Sequence, residues 1–201
     1  MKRFFFLLCF SVSMQGYGQF KNIKLAEQVD GIYPPLEPSI AISRKNSKNI
    51  VAGVVLDRAI YTHDRGETWS ETKLESPYGV YGDPAVISDA KGHFYFFHLA
   101  DPSKQGRSNE AWLDRIVCQK STDGGKSWSS GESIGNNPPK DQDKQWPAVH
   151  PRKQYIYTTW TQFDKYGLND PNCHSNILFS KSTNAGKKWS KAIQINQNPG
   201  D

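Results

Sequence analysis

Apolar and polar residues along this chain alternate with a period of two, in runs of four to eight, and never settle into the 3.6-residue period of an amphipathic helix. Residues 49–56, 93–100 and 154–161 are aromatic or β-branched runs. The last of them, QYIYTTWT, consists almost wholly of strand-forming residues. A shorter run precedes each one, at Glu37 to Ser43, Asp83 to Ser88 and Trp146 to His150, and each of these has a proline in second place. A third run follows at 59–63, 116–121 and 177–182. A weaker fourth is clearest at Ala192 to Asn196. The pattern predicts four short strands per unit, three times over, in units of about sixty residues covering roughly 32–80, 81–137 and 138–201. Four-stranded units in tandem are the signature of propeller blades. The predicted fold class is therefore all-β, a β-propeller with about three blades present.

Between the third and fourth runs of each unit lies one recurring motif: Thr62 to Trp69 (THDRGETW), Ser121 to Trp128 (STDGGKSW) and Ser182 to Trp189 (STNAGKKW). All read Ser/Thr-x-Asp/Asn-x-Gly-x-x-Trp, and Asp64, Asp123 and Asn184 recur 59 and 61 residues apart. Hydroxyl and carboxylate oxygens at these places can bond the N–H groups of a turn. Gly66, Gly125 and Gly186 suit a left-handed backbone. Trp69, Trp128 and Trp189 are expected to plug the space between neighbouring sheets. Asn184 keeps the acceptor but not the charge, so the third turn is expected to be the weakest. The same device at the same place in every unit points to a folding role, not to a catalytic pair of Asp64 and Asp123.

These three motifs resemble the Asp boxes, or bacterial neuraminidase repeats, of sialidases and sialidase-like β-propellers, and the resemblance runs from about Lys21 to the end. It implies a six-bladed ring when complete. It also implies hydrolysis of terminal sialic acids from glycoconjugates, with three arginines on the substrate carboxylate, a tyrosine nucleophile with its glutamate, and an aspartate acid/base. The first arginine of that set stands two residues before a blade-opening proline. Here Leu36, Gly82 and Gln145 occupy that place, so no catalytic residue carries over. The boxes also occur in sortilin-like receptors, photosynthetic assembly factors and lyases. A non-catalytic propeller binding glycan or protein at the cell surface is accordingly the alternative function.

Propeller ligands sit at the channel mouth, at the starts of the innermost strands and in the loops between second and third strands. The positions so placed are Glu37, Asp83 and Trp146, then Arg58, Asp101, Gln162 and Asp164, with His98 and Tyr166 beside them. An arginine, acids, amides and a tryptophan face suit a sugar. His98, ending an apolar run, reads as a core histidine. Asn169 to Asn172 reads as a turn and not as a calcium loop. No cofactor and no metal is expected.

Composition narrows the partners. Hydrophobic residues make up 36%, aromatics 12% and charged residues 22%, and mean hydropathy is −0.69, which describes a polar but foldable chain. The formal charge of +5 is scattered among acids, and this argues against nucleic acid. Met1-Lys2-Arg3 followed by the apolar Phe4 to Phe10 and a small, polar stretch to Gln19 has the layout of a secretory signal peptide over 1–19. Beyond it no apolar run is long enough for a membrane-spanning helix. A secreted, periplasmic or cell-surface location follows, in which Cys118 and Cys173 either pair or stay free. Residues 20–201 would be half of a six-bladed ring, completed by further blades of a longer chain or hidden by self-association. Asn22 to Val29 would be an outer strand belonging to the closing blade.

Overall fold

The computed structural model describes residues 21–28 and 34–200; the signal-peptide reading falls outside them. Twelve strands are present among the described residues, in three antiparallel sheets of four. The first sheet holds β1 (Ser39–Ile42), β2 (Ile50–Val54), β3 (Arg58–Thr62) and β4 (Ser70–Lys73). The second holds β5 (Ala85–Ser88), β6 (Phe94–Leu99), β7 (Ile116–Ser121) and β8 (Glu132–Ile134). In the third are β9 (Asp141–Val149), β10 (Ile156–Phe163), β11 (Ser175–Ser182) and β12 (Ile193–Gln194). Within each sheet the strands pair in chain order, as a meander. The innermost strands β1, β5 and β9 lie side by side around one axis. The chain is all-β and its sheets are arranged as propeller blades.

Burial explains the different strand patterns. The second sheet lies between the other two, so β6 (FYFFHL) is buried at every position. Phe94 and Phe96 face the first sheet with Val51, Ala59 and Leu74, while Tyr95, Phe97 and Leu99 face the third with Ile156, Trp160 and Leu178. In β10, covered closely on one side only, burial alternates strictly. The outward sides of the flanking sheets leave Ile40, Ile42, Ile177 and Ile193 exposed. Residues 21–28 form no strand. Leu25 and Ala26 instead pack, as Trp69 does, on the cluster of Ala52, Val54 and Ile60 of the first sheet. Cys118 is buried, Cys173 is half-buried, and both are free thiols.

The three turns share one bonding scheme. Thr62 Oγ1 donates to Asp64 at 2.6 Å and accepts the Gly66 N–H at 3.1 Å; Ser121 does the same with Asp123 (2.8 Å) and Gly125 (2.9 Å), and Ser182 with Asn184 (3.0 Å) and Gly186 (2.9 Å). The Asp64, Asp123 and Asn184 side chains then accept the N–H four residues on, from Thr68, Ser127 and Lys188. Thr68 and Ser127 add a hydroxyl bond at 2.5 Å, which Lys188 cannot supply, so the third turn loses a contact as well as a charge. The Thr62 and Thr68 hydroxyls hold the Asp64 carboxyl well below its ordinary pKa. For Asp123, burial works the other way, but bonds from Ser127 and Ser121 outweigh it and lower the pKa. Each tryptophan closes its turn with an indole bond to the glycine carbonyl at 3.0–3.1 Å. Asp123→Ala is expected to cost about 1–2 kcal/mol in urea unfolding, the scale of leaving the turn's donors unpaired. Ligand binding should be unchanged, and a loss of binding at unchanged stability would refute the folding role.

The second and third turns lean on the sheet before them. A Cβ built on Gly125 would lie 2.9 Å from Tyr61 Cβ and from Val51 Cγ2 of the first sheet. His63 Nε2 bonds Gly124 O at 3.1 Å, and Thr72 donates to Lys126 O. Trp189 meets Phe97 of the second sheet edge-on at 5.8 Å, while Trp128 meets Phe96 of its own sheet at 5.7 Å.

Candidate functional site

The starts of β1 and β5 and the middle of β9 converge on a cavity of about 550 Å³ at the axis, lined by residues 37–40, 83–87 and 144–147. Three residues there share a left-handed backbone, one from each sheet: Glu37 (φ 49°), Asp83 (φ 48°) and Lys144 (φ 53°). In the first two sheets a proline follows directly and stands just before the strand. In the third, a bulge intervenes: Thr159 pairs with Trp146 but Thr161 with Asp143, so Lys144 and Gln145 together oppose Trp160. The bulge brings Lys144 to the equivalent place and leaves Trp146 on the rim, 78% exposed.

Lys144 Nζ lies 2.5 Å from Asp83 and 3.2 Å from Glu37. Burial works against its charge, but the two carboxylates outweigh it and push the ammonium pKa up. A hydrogen bond with Asp83, then burial, raises the Glu37 pKa, with Lys144 opposing. Burial raises that of Asp143, whose Oδ1 accepts the Lys144 N–H at 2.8 Å. Gln145, 2% exposed, donates to the Asp83 carbonyl, while its Oε1 has no hydrogen-bond partner. The mouth thus combines two carboxyl groups, one ammonium, an unpartnered amide oxygen and an exposed indole, with Asp143 next to it in the chain.

Of the residues placed at the mouth from sequence, Glu37, Asp83 and Trp146 meet there; Arg58, Asp101, Gln162 and Asp164 do not line it. Arg58 forks onto Glu71 at 2.9 and 2.5 Å and donates to the Glu27 carbonyl. Asp101 is buried and ties its own loop by accepting from Ser103 and Gly106. Gln162 donates to Gln142 Oε1 at 3.1 Å, beside the Trp160 indole at 2.8 Å. Asp164 pairs with Lys140 and accepts the His174 N–H. Tyr166 packs on Trp112 and Phe163. Asp170 accepts twice from Asn172, as a turn residue does. Asp143, Lys144 and Gln145 were not picked out from the sequence; the signal for them was the dense charge of Lys140 to Lys144 just ahead of Trp146-Pro147.

His98 is buried, with Nδ1 2.7 Å from Leu99 O, and burial lowers its pKa to about 4. Between the ordinary value near 6.5 and about 4 the unfolded chain takes up a proton that the folded chain refuses, so stability falls as pH drops through that window. The expected loss is about 3 kcal/mol, levelling off below pH 4. Urea midpoints of wild type and His98→Gln between pH 7 and 4 check it: the variant should lack this part of the slope.

The sequence matches no family profile and no curated protein. Among solved structures, the chain is similar to a glycoside hydrolase family 43 arabinoxylan arabinofuranohydrolase from Bacillus subtilis in complex with cellotetraose, at TM-score 0.51 and 16% identity. The likeness covers 81% of this chain and 36% of that one, so the chain spans about a third of the neighbour's length. It is also similar, at TM-score 0.43 and 14% identity, to the NanB sialidase from Streptococcus pneumoniae, over 75% of this chain and 20% of that one. The first of these likenesses bears on the fold alone, which is that of β-propeller blades.

Proposed function

We propose that this chain forms part of a secreted, glycan-active β-propeller that holds a neutral saccharide at the axial mouth. The observation that carries the reading is the unpartnered Oε1 of Gln145 in the wall of a cavity also lined by Glu37 and Asp83. Buried acceptors without donors favour a ligand rich in hydroxyl groups, and the exposed face of Trp146 supplies an apolar platform for a sugar ring. The layout of residues 1–19 supports export. Glu37, whose raised pKa suits a proton donor, beside Asp83, paired with Lys144, is the kind of carboxyl couple that glycoside hydrolysis uses.

The three repeated turns favour a second reading, an exo-α-sialidase. It needs a guanidinium for the sialic acid carboxylate, and among the described residues Lys144 is the cation lining the mouth. Calorimetric titration with neutral oligosaccharides and sialyllactose, together with fluorogenic glycoside assays from pH 4 to 8, separates the two. Neutral-sugar binding weakened at least tenfold by Gln145→Leu and by Trp146→Ala is the expected result. Sialic acid release above a heat-killed control would instead establish the sialidase reading, and binding untouched by both substitutions would refute the mouth as the site.

A further inference from the structure

A second cavity of about 720 Å³ opens beside the mouth, between the first and second sheets, lined by residues 56–57, 73–76, 79–81, 101 and 104–106. Gly82 separates the two spaces: Asp83, on one side of it, lines the mouth, and Tyr81, on the other, lines the groove. The Gly82 N–H bonds Leu56 O at 3.0 Å, and a Cβ there would come within 2.9 Å of Val55 Cγ1, so the chain between mouth and groove runs close against residues 55 and 56 and adds no side chain of its own at Gly82.

The groove is built, not loose. Asp101 ties one wall by accepting from Ser103 Oγ at 3.0 Å and the Gly106 N–H at 2.9 Å. Leu74 N–H bonds Asp57 O at 2.7 Å along the other wall. Tyr81 is braced edge-on against Trp112 at 5.7 Å. The lining mixes an aromatic ring, a hydroxyl, an amide and charges of both signs (Tyr81, Ser76, Gln105, Lys73, Lys104 and Asp57), so neither an apolar segment nor a strongly charged ligand is favoured. Both volumes fall within the roughly 300–1,000 Å³ that hold a small ligand.

We infer that the ligand is an extended saccharide, with one unit in the mouth and the following units in the groove between the first two sheets. This rests on the reading of the mouth as a glycan site. Calorimetry with xylo-, cello-, galacto- and arabino-oligosaccharides of one to five units tests it. Affinity should rise at least tenfold between one unit and three. Tyr81→Ala and Gln105→Trp (the latter an exposed rim position that would obstruct the groove) should remove that rise and leave single-unit binding within twofold. Equal affinity at every length in the wild type, or a rise that survives Gln105→Trp, would overturn the groove while the mouth stands. Failure of every sugar at every length would overturn both.

Discussion

Trp160→Ala is expected to lower stability by about 3–5 kcal/mol, a large share of what holds a domain folded. The Trp160 side chain is 1% exposed in the core shared by the second and third sheets. Its ring lies so close over Gly135 that a Cβ there would come within 2.4 Å of Cζ2. Truncation leaves a cavity that packed sheets cannot collapse into, and removes the indole donor from Gln142. Urea unfolding should show a lower midpoint at unchanged slope. Trp146→Ala, a substitution of the same kind on the paired strand, should stay within about 0.5 kcal/mol of wild type because its ring stands in solvent. Equal effects at the two positions would mean the third sheet is not packed as described.

The second large effect is expected at Gly125. Its φ of +99° is unfavourable for any residue with a Cβ, and the 2.9 Å approach to Tyr61 and Val51 leaves no room for one. Strain and overpacking together should make Gly125→Ala cost about 3 kcal/mol, with Gly125→Val worse. Gly186→Ala should be milder, since a Cβ there meets only Tyr95 and Cys118 at 3.4–3.5 Å. The position before each glycine is also left-handed, at the smaller φ of 71°, 80° and 60°, and holds Arg65, Gly124 and Ala185; the glycines themselves sit at 92°, 99° and 82°, and only Gly125 adds a close approach to the sheet before it. Thermal or urea midpoints for the two alanine variants decide the ranking. Reversal would place the second turn away from the first sheet.

Strands, turns and the inward tryptophans were legible because their causes are local: a period of two, hydroxyl–acid spacing, and glycine at a fixed offset. The mouth was legible in two sheets of three. Glu37 and Asp83 each precede a proline, and the same rule applied to Trp146-Pro147 points at the rim. The bulge that brings Lys144 to the axis is a matter of pairing between β9 and β10, which no spacing along one strand reveals. Arg58 and Asp164 look like ligand-binding loop residues in isolation. Their partners, Glu71 and Lys140, are 13 and 24 residues away, so their commitment to the scaffold appears only in three dimensions.

The backward lean of the turns gives assembly a direction. Gly125 and Lys126 rest on strands made some sixty residues earlier, and Gly186 on Tyr95 and Cys118 of the sheet before it. During synthesis at roughly 5–20 residues per second, a new blade emerges about every 3–12 s. Each wedge therefore meets a surface that already exists when it leaves the ribosome. A chain built this way can add blades one at a time from its N-terminal side, each templated by its predecessor. Permuting the order of synthesis, so that a wedge precedes the sheet it leans on, should slow folding more than it weakens the folded state.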